Sequence, residues 1–151
     1  GQGRVGKARM AYLTCKFVRP DKQLFEGKCA SMTLVTYSGE LGVLPGHASE
    51  ICALGDGVVR IKSLDEDGGD ERDVVVSGGY AEICNNVVVI IADHARATDD
   101  IDVDTVRRTH DKAQAKRDAL PEDDHQRAYY ENKMAWCDLL LEKAGAASAS
   151  E

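Results

Sequence analysis

The segment Val74–Asp93, VVVSGGYAEICNNVVVIIAD, decides the fold class. It holds three apolar runs rich in β-branched residues, divided by Gly78-Gly79 and Asn85-Asn86. Branching at Cβ stiffens χ1 and suits a pleated surface better than a helix. Gly-Gly and Asn-Asn pairs supply the positive-φ residues that tight hairpins require. The segment therefore reads as three short strands joined by two turns.

The same rhythm extends upstream. In YLTCKFV (Tyr12–Val18), Leu13, Cys15 and Phe17 fall on one side and Tyr12, Thr14 and Lys16 on the other, as in a strand with one buried face. CASMTLVTY (Cys29–Tyr37) and GVVRIKS (Gly57–Ser63) follow, with turn chemistry at Pro20-Asp21, Gly55-Asp56-Gly57 and Asp67-Gly68-Gly69-Asp70. Short strands at regular spacing predict a sandwich or flattened barrel over residues 10–98.

At Asp99 the period changes. DDIDVDTVRRTHDKAQAKRDAL (Asp99–Leu120) has no glycine or proline, opens with carboxylates and carries Lys112, Lys116 and Arg117 late, as the helix dipole favours. Pro121–Asp124 breaks this helix and starts a second, in which Tyr130, Met134, Cys137, Leu141 and Ala144 recur at spacings of four and three. The expected hairpin covers 99–145, and the small, polar 146–151 is expected to fray. The first helix has a thin apolar seam of Val103, Val106, Ala113 and Leu120, interrupted by His110 and Arg117, which predicts conditional docking of the hairpin.

Composition narrows the function. A net charge of −7 and a pI near 5.1 argue against nucleic acid as a partner, since phosphate-backbone binding needs a basic face. The longest apolar run, Val87–Ala92, is far short of the roughly 20 residues of a membrane-spanning helix. Direct insertion into a membrane is not expected. The five cysteines are odd in number and none lies near another in sequence, so neither a disulfide framework nor a zinc site is indicated, and a reducing cytosol is the expected setting. Residues 1–9 contain G-x-G-x-x-G at Gly1, Gly3 and Gly6 without the strand and helix that a dinucleotide site needs. They are expected to be a flexible basic tail or an expression remnant, with Met10 as the native start.

Catalytic signatures are missing. His47, His94, His110 and His125 lie in separate segments without a second ligand at metal-binding spacing. Ser77 lacks the G-x-S-x-G elbow, no Walker loop occurs, and the Asp99-Asp100 and Asp123-Asp124 pairs suit helix N-caps. A hydrolase built on His47, or on His94 beside Asp93, would lack a nucleophile motif. No catalytic residue, metal or cofactor is expected.

What remains is SGELGVLPGH, Ser38–His47, a loop between strand-like runs stiffened by Gly39, Gly42, Pro45 and Gly46. A pre-ordered loop loses little entropy on binding another protein. Taken with GVVRI, VVVSGGYAEI, VVVIIADHARATDDID and the charged two-helix tail, it resembles the epsilon-subunit family of rotary proton-translocating ATP synthases, bacterial or chloroplast type. The likeness runs from Met10 to about Ala144. It implies an α+β fold, a ten-stranded β-sandwich followed by an antiparallel two-helix hairpin, and a non-catalytic rotor subunit of the central stalk.

The resemblance further implies that Glu40, with Gly39, Leu41 and Gly42, rests on the c-ring. His47, with Pro45 and Gly46, is implied to lie at the gamma subunit. The helices would extend toward the alpha and beta catalytic subunits and oppose ATP hydrolysis, with Arg107, Arg108, Lys112, Lys116 and Arg117 as a cationic edge. The implied location is the cytoplasmic face of the bacterial plasma membrane, peripheral through the complex. Two departures stand out. After Pro45-Gly46-His47-Ala48 come Ser49, Glu50 and Ile51 where relatives carry a proline and two leucines. The nucleotide motif I/L-D-x-x-R-A retains Ile101 and Asp102, but Thr105 and Val106 replace its arginine and alanine, and Arg107 points to a nearly opposite helix face. Weak or no ATP binding is the consequence expected.

Overall fold

A computed structural model describes residues 11–149. The tail expected at residues 1–9 lies outside the described residues. Eight strands precede two helices: β1 (Leu13–Arg19), β2 (Lys22–Cys29), β3 (Ser31–Thr36), β4 (Gly39–Val43), β5 (Glu50–Ala53), β6 (Asp56–Lys62), β7 (Glu71–Cys84) and β8 (Val87–Ala97), then α1 (Val103–Asp118) and α2 (Gln126–Ala149). Strand order along the sheet is β2-β1-β8-β7-β6-β3-β4, with β5 paired to β7. Only β1 and β8 run parallel. The β-sandwich with a helical hairpin agrees with the expected fold, with eight strands in place of ten.

The opening segment folds differently from its first reading. Asn85 and Asn86 do form the hairpin, at φ 51° and 65°, the two positive values that a type I′ turn demands. Gly78-Gly79 instead lies inside one strand, β7, 14 residues long. The glycines, at φ 75° and 110°, redirect β7 where its partner on one side changes from β6 to β5, while β8 is its partner on the other side both before and after them, from Val74 to Cys84. Close approach explains why both are glycine. A Cβ on Gly79 would lie 2.8 Å from the Ala92 Cα, and one on Gly78 would lie 2.6 Å from the Asp93 carboxylate.

Alternation places Leu13, Cys15 and Phe17 of β1 fully inside, where they meet Leu34, Val43, Val59, Ile83 and Ile90 in one apolar core. Among the described residues no charged or polar residue is buried as a whole, though one carboxylate oxygen of the half-buried Asp73 is. Burial pushes the Cys15 thiol up to about 12 and the Cys29 thiol up to about 11, so both stay protonated and inert inside the core. The described cysteines are free thiols.

The helices start later than the periodicity suggests. Thr98–Asp100 forms a single 3-10 turn, and α1 begins at Val103 because Asp102 caps it, its carboxylate accepting from the Thr105 N–H at 3.2 Å. That hydrogen bond is the main reason the Asp102 carboxyl sits below its ordinary value. Pro121–Asp124 is a turn closed by Asp124 N–H to the Pro121 carbonyl at 3.0 Å, and α2 starts at Gln126, whose N–H meets the Asp124 carboxylate at 2.8 Å. The second helix continues to Ala149, into the stretch expected to fray. Its buried contacts are Cys137 and Leu140 rather than the predicted stripe alone, because the helix faces both α1 and the sandwich.

Candidate functional site

Glu40 stands in strand β4, not in a loop, since Gly39–Val43 pairs antiparallel with β3 from Thr36↔Gly39 to Met32↔Val43. Strand alternation turns Leu41 and Val43 inward and leaves Glu40 exposed. Its carboxylate accepts from Arg60 Nη1 at 3.0 Å, with 62% of the Glu40 side chain still open to water. Arg60 belongs to β6 and sits across β3 from Glu40, which sequence alone did not disclose. The local signal was Arg60 set between Val59 and Ile61 in the middle of β6.

The turn after β4 is held from two directions. His47 N–H donates to the Leu44 carbonyl at 3.0 Å, and Gly46, at φ 90°, donates its N–H to the Asn86 side-chain oxygen at 2.7 Å. Asn86 also accepts the Thr14 N–H on its backbone carbonyl at 2.8 Å. One residue thus joins the Pro45–His47 turn, the β7–β8 hairpin and β1. Sequence reading took Asn86 for a turn residue alone, since nothing local shows which distant amide its side chain meets. The His47 ring lies 2.8 Å from the Ala48 carbonyl and 3.8 Å from the Glu50 carboxylate, so it is engaged by its own turn.

Around these residues lies exposed apolar surface. Leu44, Ile51, Tyr80 and Val87 are all open to solvent, Ile51 at 70%. Ile51 pairs with Glu82 and Ala53 with Tyr80, which puts Ile51 and Tyr80 on the outer face, opposite the buried Ala81 and Ile83. The Ile51 that departs from the proline-and-leucine pattern therefore supplies part of this surface. A shallow cavity of about 430 Å³ between Glu40, Leu41, Tyr37, Glu50 and Cys52 adjoins it.

The helical residues form a separate region. Ile101 packs into a small cluster with Val75, Val106, Cys137 and Leu140, while Asp102 is occupied as the α1 cap. The five predicted cations do not act alike. Arg117 pairs with Asp118 at 2.9 Å, Arg107 reaches Asp104 only at 4.0 Å, and Arg108 donates to the Thr105 hydroxyl at 3.1 Å. Lys112 and Lys116 turn instead toward Lys133, Tyr129 and Tyr130 of α2, around a cavity of about 270 Å³. Lys133 lies over the Tyr129 ring at 5.7 Å from its centre. The three α2 residues were missed, for they emerge as a group only when the helices pack. Among the described residues no cluster of histidine, cysteine or carboxylate has metal-binding geometry.

The β-sandwich matches the model of the ATP synthase delta/epsilon chain β-sandwich domain over residues 12–98. The chain belongs to the ATP synthase delta/epsilon family. It is 38% identical over 104 residues to the ATP synthase epsilon chain of Lactiplantibacillus plantarum, covering 69% of this chain and 72% of that one. It is 32% identical over 124 residues to the epsilon chain of Gloeothece citriformis, covering 82% and 87%. Among solved structures it is similar to a chain of the Euglena gracilis mitochondrial ATP synthase OSCP/F1/c-ring assembly, with a TM-score of 0.61, 25% identity, and coverage of 92% of this chain and 82% of the other.

Membership in the ATP synthase epsilon family accounts for the missing catalytic constellation, because its members are non-catalytic subunits of the rotary enzyme. No helix among the described residues is long and apolar enough to cross a membrane.

Proposed function

We propose that this chain is a rotor subunit of the central stalk, coupling the catalytic head to the c-ring during proton-driven ATP synthesis. The observation that carries the reading is the turn after β4. Its backbone is pinned to Asn86, while Glu40 and the apolar residues Leu44, Ile51 and Val87 stay open to solvent. A surface that transmits torque must keep its shape under load, and a tethered turn on a sheet edge does so. Glu40, with Gly39, Leu41 and Gly42, is assigned to the polar loops of the c-ring. The gamma subunit is assigned to Pro45, Gly46 and His47 with the apolar surface beside them. Likeness to a chain of an F1/c-ring assembly supports this placement. The sandwich spans 10–98 and the regulatory hairpin 99–145, held peripherally at the cytoplasmic face of the bacterial membrane through the complex.

The hairpin is assigned the restraint of ATP hydrolysis, with Arg107, Arg108, Lys112, Lys116 and Arg117 meeting acidic segments of the alpha and beta subunits. The deciding experiment is capture of the gamma subunit by the sandwich with and without Ile51→Lys. Loss of capture with an unchanged thermal melt supports the assignment; retention of capture by the variant removes this surface from the gamma contact.

A second reading has its own observation, the cavity where Lys112, Lys116 and Lys133 converge beside Tyr129 and Tyr130. Three ammonium groups and two rings suit a nucleotide, whereas Thr105 in the arginine position removes a charge-assisted bond worth about 1.5–3 kcal/mol. Weak or no ATP binding remains the leading expectation. Titration calorimetry of ATP into the isolated chain separates the two: micromolar affinity, abolished in Lys112→Ala/Lys133→Ala, establishes nucleotide sensing without the usual arginine.

A further inference from the structure

Arg60 reaches past a nearer carboxylate to bond with Glu40. In the β6–β7 ladder Arg60 stands directly opposite Asp73, and directly opposed residues on an antiparallel pair share one face with Cβ atoms about 4.5–5.5 Å apart. Glu40 is two strands away on the other side, since β3 lies between β6 and β4. Arg60 Nη1 nevertheless donates to the Glu40 carboxylate at 3.0 Å. Asp73 Oδ1 is buried and has no hydrogen-bond partner among the described residues. On this outer face one cation thus stands between two carboxylates.

The two carboxylates are unlike. Glu40 is largely solvated, whereas Asp73 is half-buried in the wall of a cavity of about 430 Å³ that Lys22, Arg72 and Thr98 also line. Burial holds the Asp73 carboxyl above its ordinary value, Arg60 opposes the rise, and Glu71 of the same strand and Asp99 after β8 add to it. Of the other cations at the cavity, Arg72 lies over the Phe25 ring at 5.1 Å and Lys22 is exposed on β2. Arg60 is therefore the cation placed to serve Asp73. A guanidinium carries five N–H donors in a planar fork, and the Arg60 side chain is only half-buried, so it has both the donors and the room to turn.

We propose that Arg60 is a positioning residue shared between Glu40 and Asp73, holding Glu40 while that carboxylate faces water and transferring to Asp73 when Glu40 is engaged by another protein. The exposed pair with Glu40 is weak, so giving it up costs little. The transfer has its own gain, because a buried acceptor without a partner carries the full cost of its lost hydration until a donor arrives. Glu40 is thereby kept in place on β4 and yet remains available for contact. The proposal rests on the reading of Glu40 as a contact residue, but the exchange itself belongs to the isolated chain and is tested there.

Carboxyl-carbon NMR of the isolated full chain follows the titration of Asp73 and Glu40 separately. Glu40→Gln removes the competing acceptor and stands in for an engaged Glu40. Asp73 should then become a roughly two- to fivefold stronger acid, the range expected for gaining one partly exposed ion pair. In Arg60→Gln the Asp73 midpoint should rise, and adding Glu40→Gln to that variant should move it little. Asp73→Asn should make Glu40 a stronger acid by the same factor, because coupling between two sites is reciprocal. That reciprocal pair of measurements stands even where Arg60→Gln lowers stability. An unmoved Asp73 midpoint in Glu40→Gln, or an equal shift with and without Arg60, overturns the exchange and leaves the contact assigned to Glu40 to be judged by proton pumping.

Discussion

Glu40 and Asp73 show what one carboxylate does in two settings on the same sheet. Glu40 is solvated and paired to Arg60, an exposed arrangement worth under about 1 kcal/mol. Glu40→Lys should therefore leave the thermal melt close to native while weakening ATP-driven proton pumping in reconstituted vesicles. Undiminished pumping would remove Glu40 from the c-ring contact. Asp73 is the opposite case, with a buried Oδ1 that accepts no hydrogen bond. Burial raises its carboxyl above the ordinary value, Arg60 opposes the rise, and Glu71 and Asp99 add to it. A raised carboxyl means that the folded chain holds this proton more tightly than the unfolded chain, so stability is present below the unfolded value near 3.9. It is lost as pH rises through the folded value. Asp73→Asn should melt about 2 °C higher than the native chain at pH 7, a small gain because the group is partly solvated, and lose that advantage below about pH 4. A constant difference across pH would show that its charge is irrelevant.

At the scale of elements, β7 and β8 organise the molecule. The strand β7 pairs with β8 between Val74 and Cys84 and changes its other partner from β6 to β5 at Gly78-Gly79, a change that needs two residues with positive φ packed on the facing backbone. Gly79→Ala should cost about 3 kcal/mol or more, combining left-handed strain with a clash against β8. Chemical denaturation reads it directly, and a loss below about 1 kcal/mol would mean that the strands shift apart freely. The α1 cap illustrates the opposite sign to Asp73. Asp102 sits below its ordinary value through the Thr105 bonds, so its contribution is present at neutral pH and fades as acid protonates it.

For the whole molecule, the sandwich core and the hairpin cluster are separate, sharing an interface centred on Val75. Deleting residue 102 onward should leave a folded β domain that binds gamma, less stable by a few kcal/mol through exposure of Val75 and Val58. In the assembled head the same deletion should raise ATP hydrolysis. The difference between full-length and truncated assemblies should shrink at high salt, because the cations Arg108, Lys112 and Lys116 are exposed and screened beyond about 8–10 Å. Equal hydrolysis by both assemblies at every ionic strength would refute the brake and leave the stalk role intact.

Sequence by itself determined the division into a β-rich part followed by two helices, the inward set Leu13, Cys15 and Phe17, and the Asn85-Asn86 turn. These are local facts, written in alternation and turn chemistry within a few residues of one another. The motif SGELGVLPGH also marked the family, though it named the segment without its shape. Tertiary structure alone decided that Gly39–Val43 is a strand, since pairing with β3 supplies hydrogen bonds that a glycine-rich stretch cannot secure alone. It decided that Gly78-Gly79 bends one strand rather than ending it, because the same positive φ serves a turn or a kink and only the partner strand selects. It also decided that Asn86 holds Gly46, Arg60 holds Glu40 and Trp136 meets His94. Those pairs are 40, 20 and 42 residues apart, and a side chain carries no record of a distant partner until packing sets the distance.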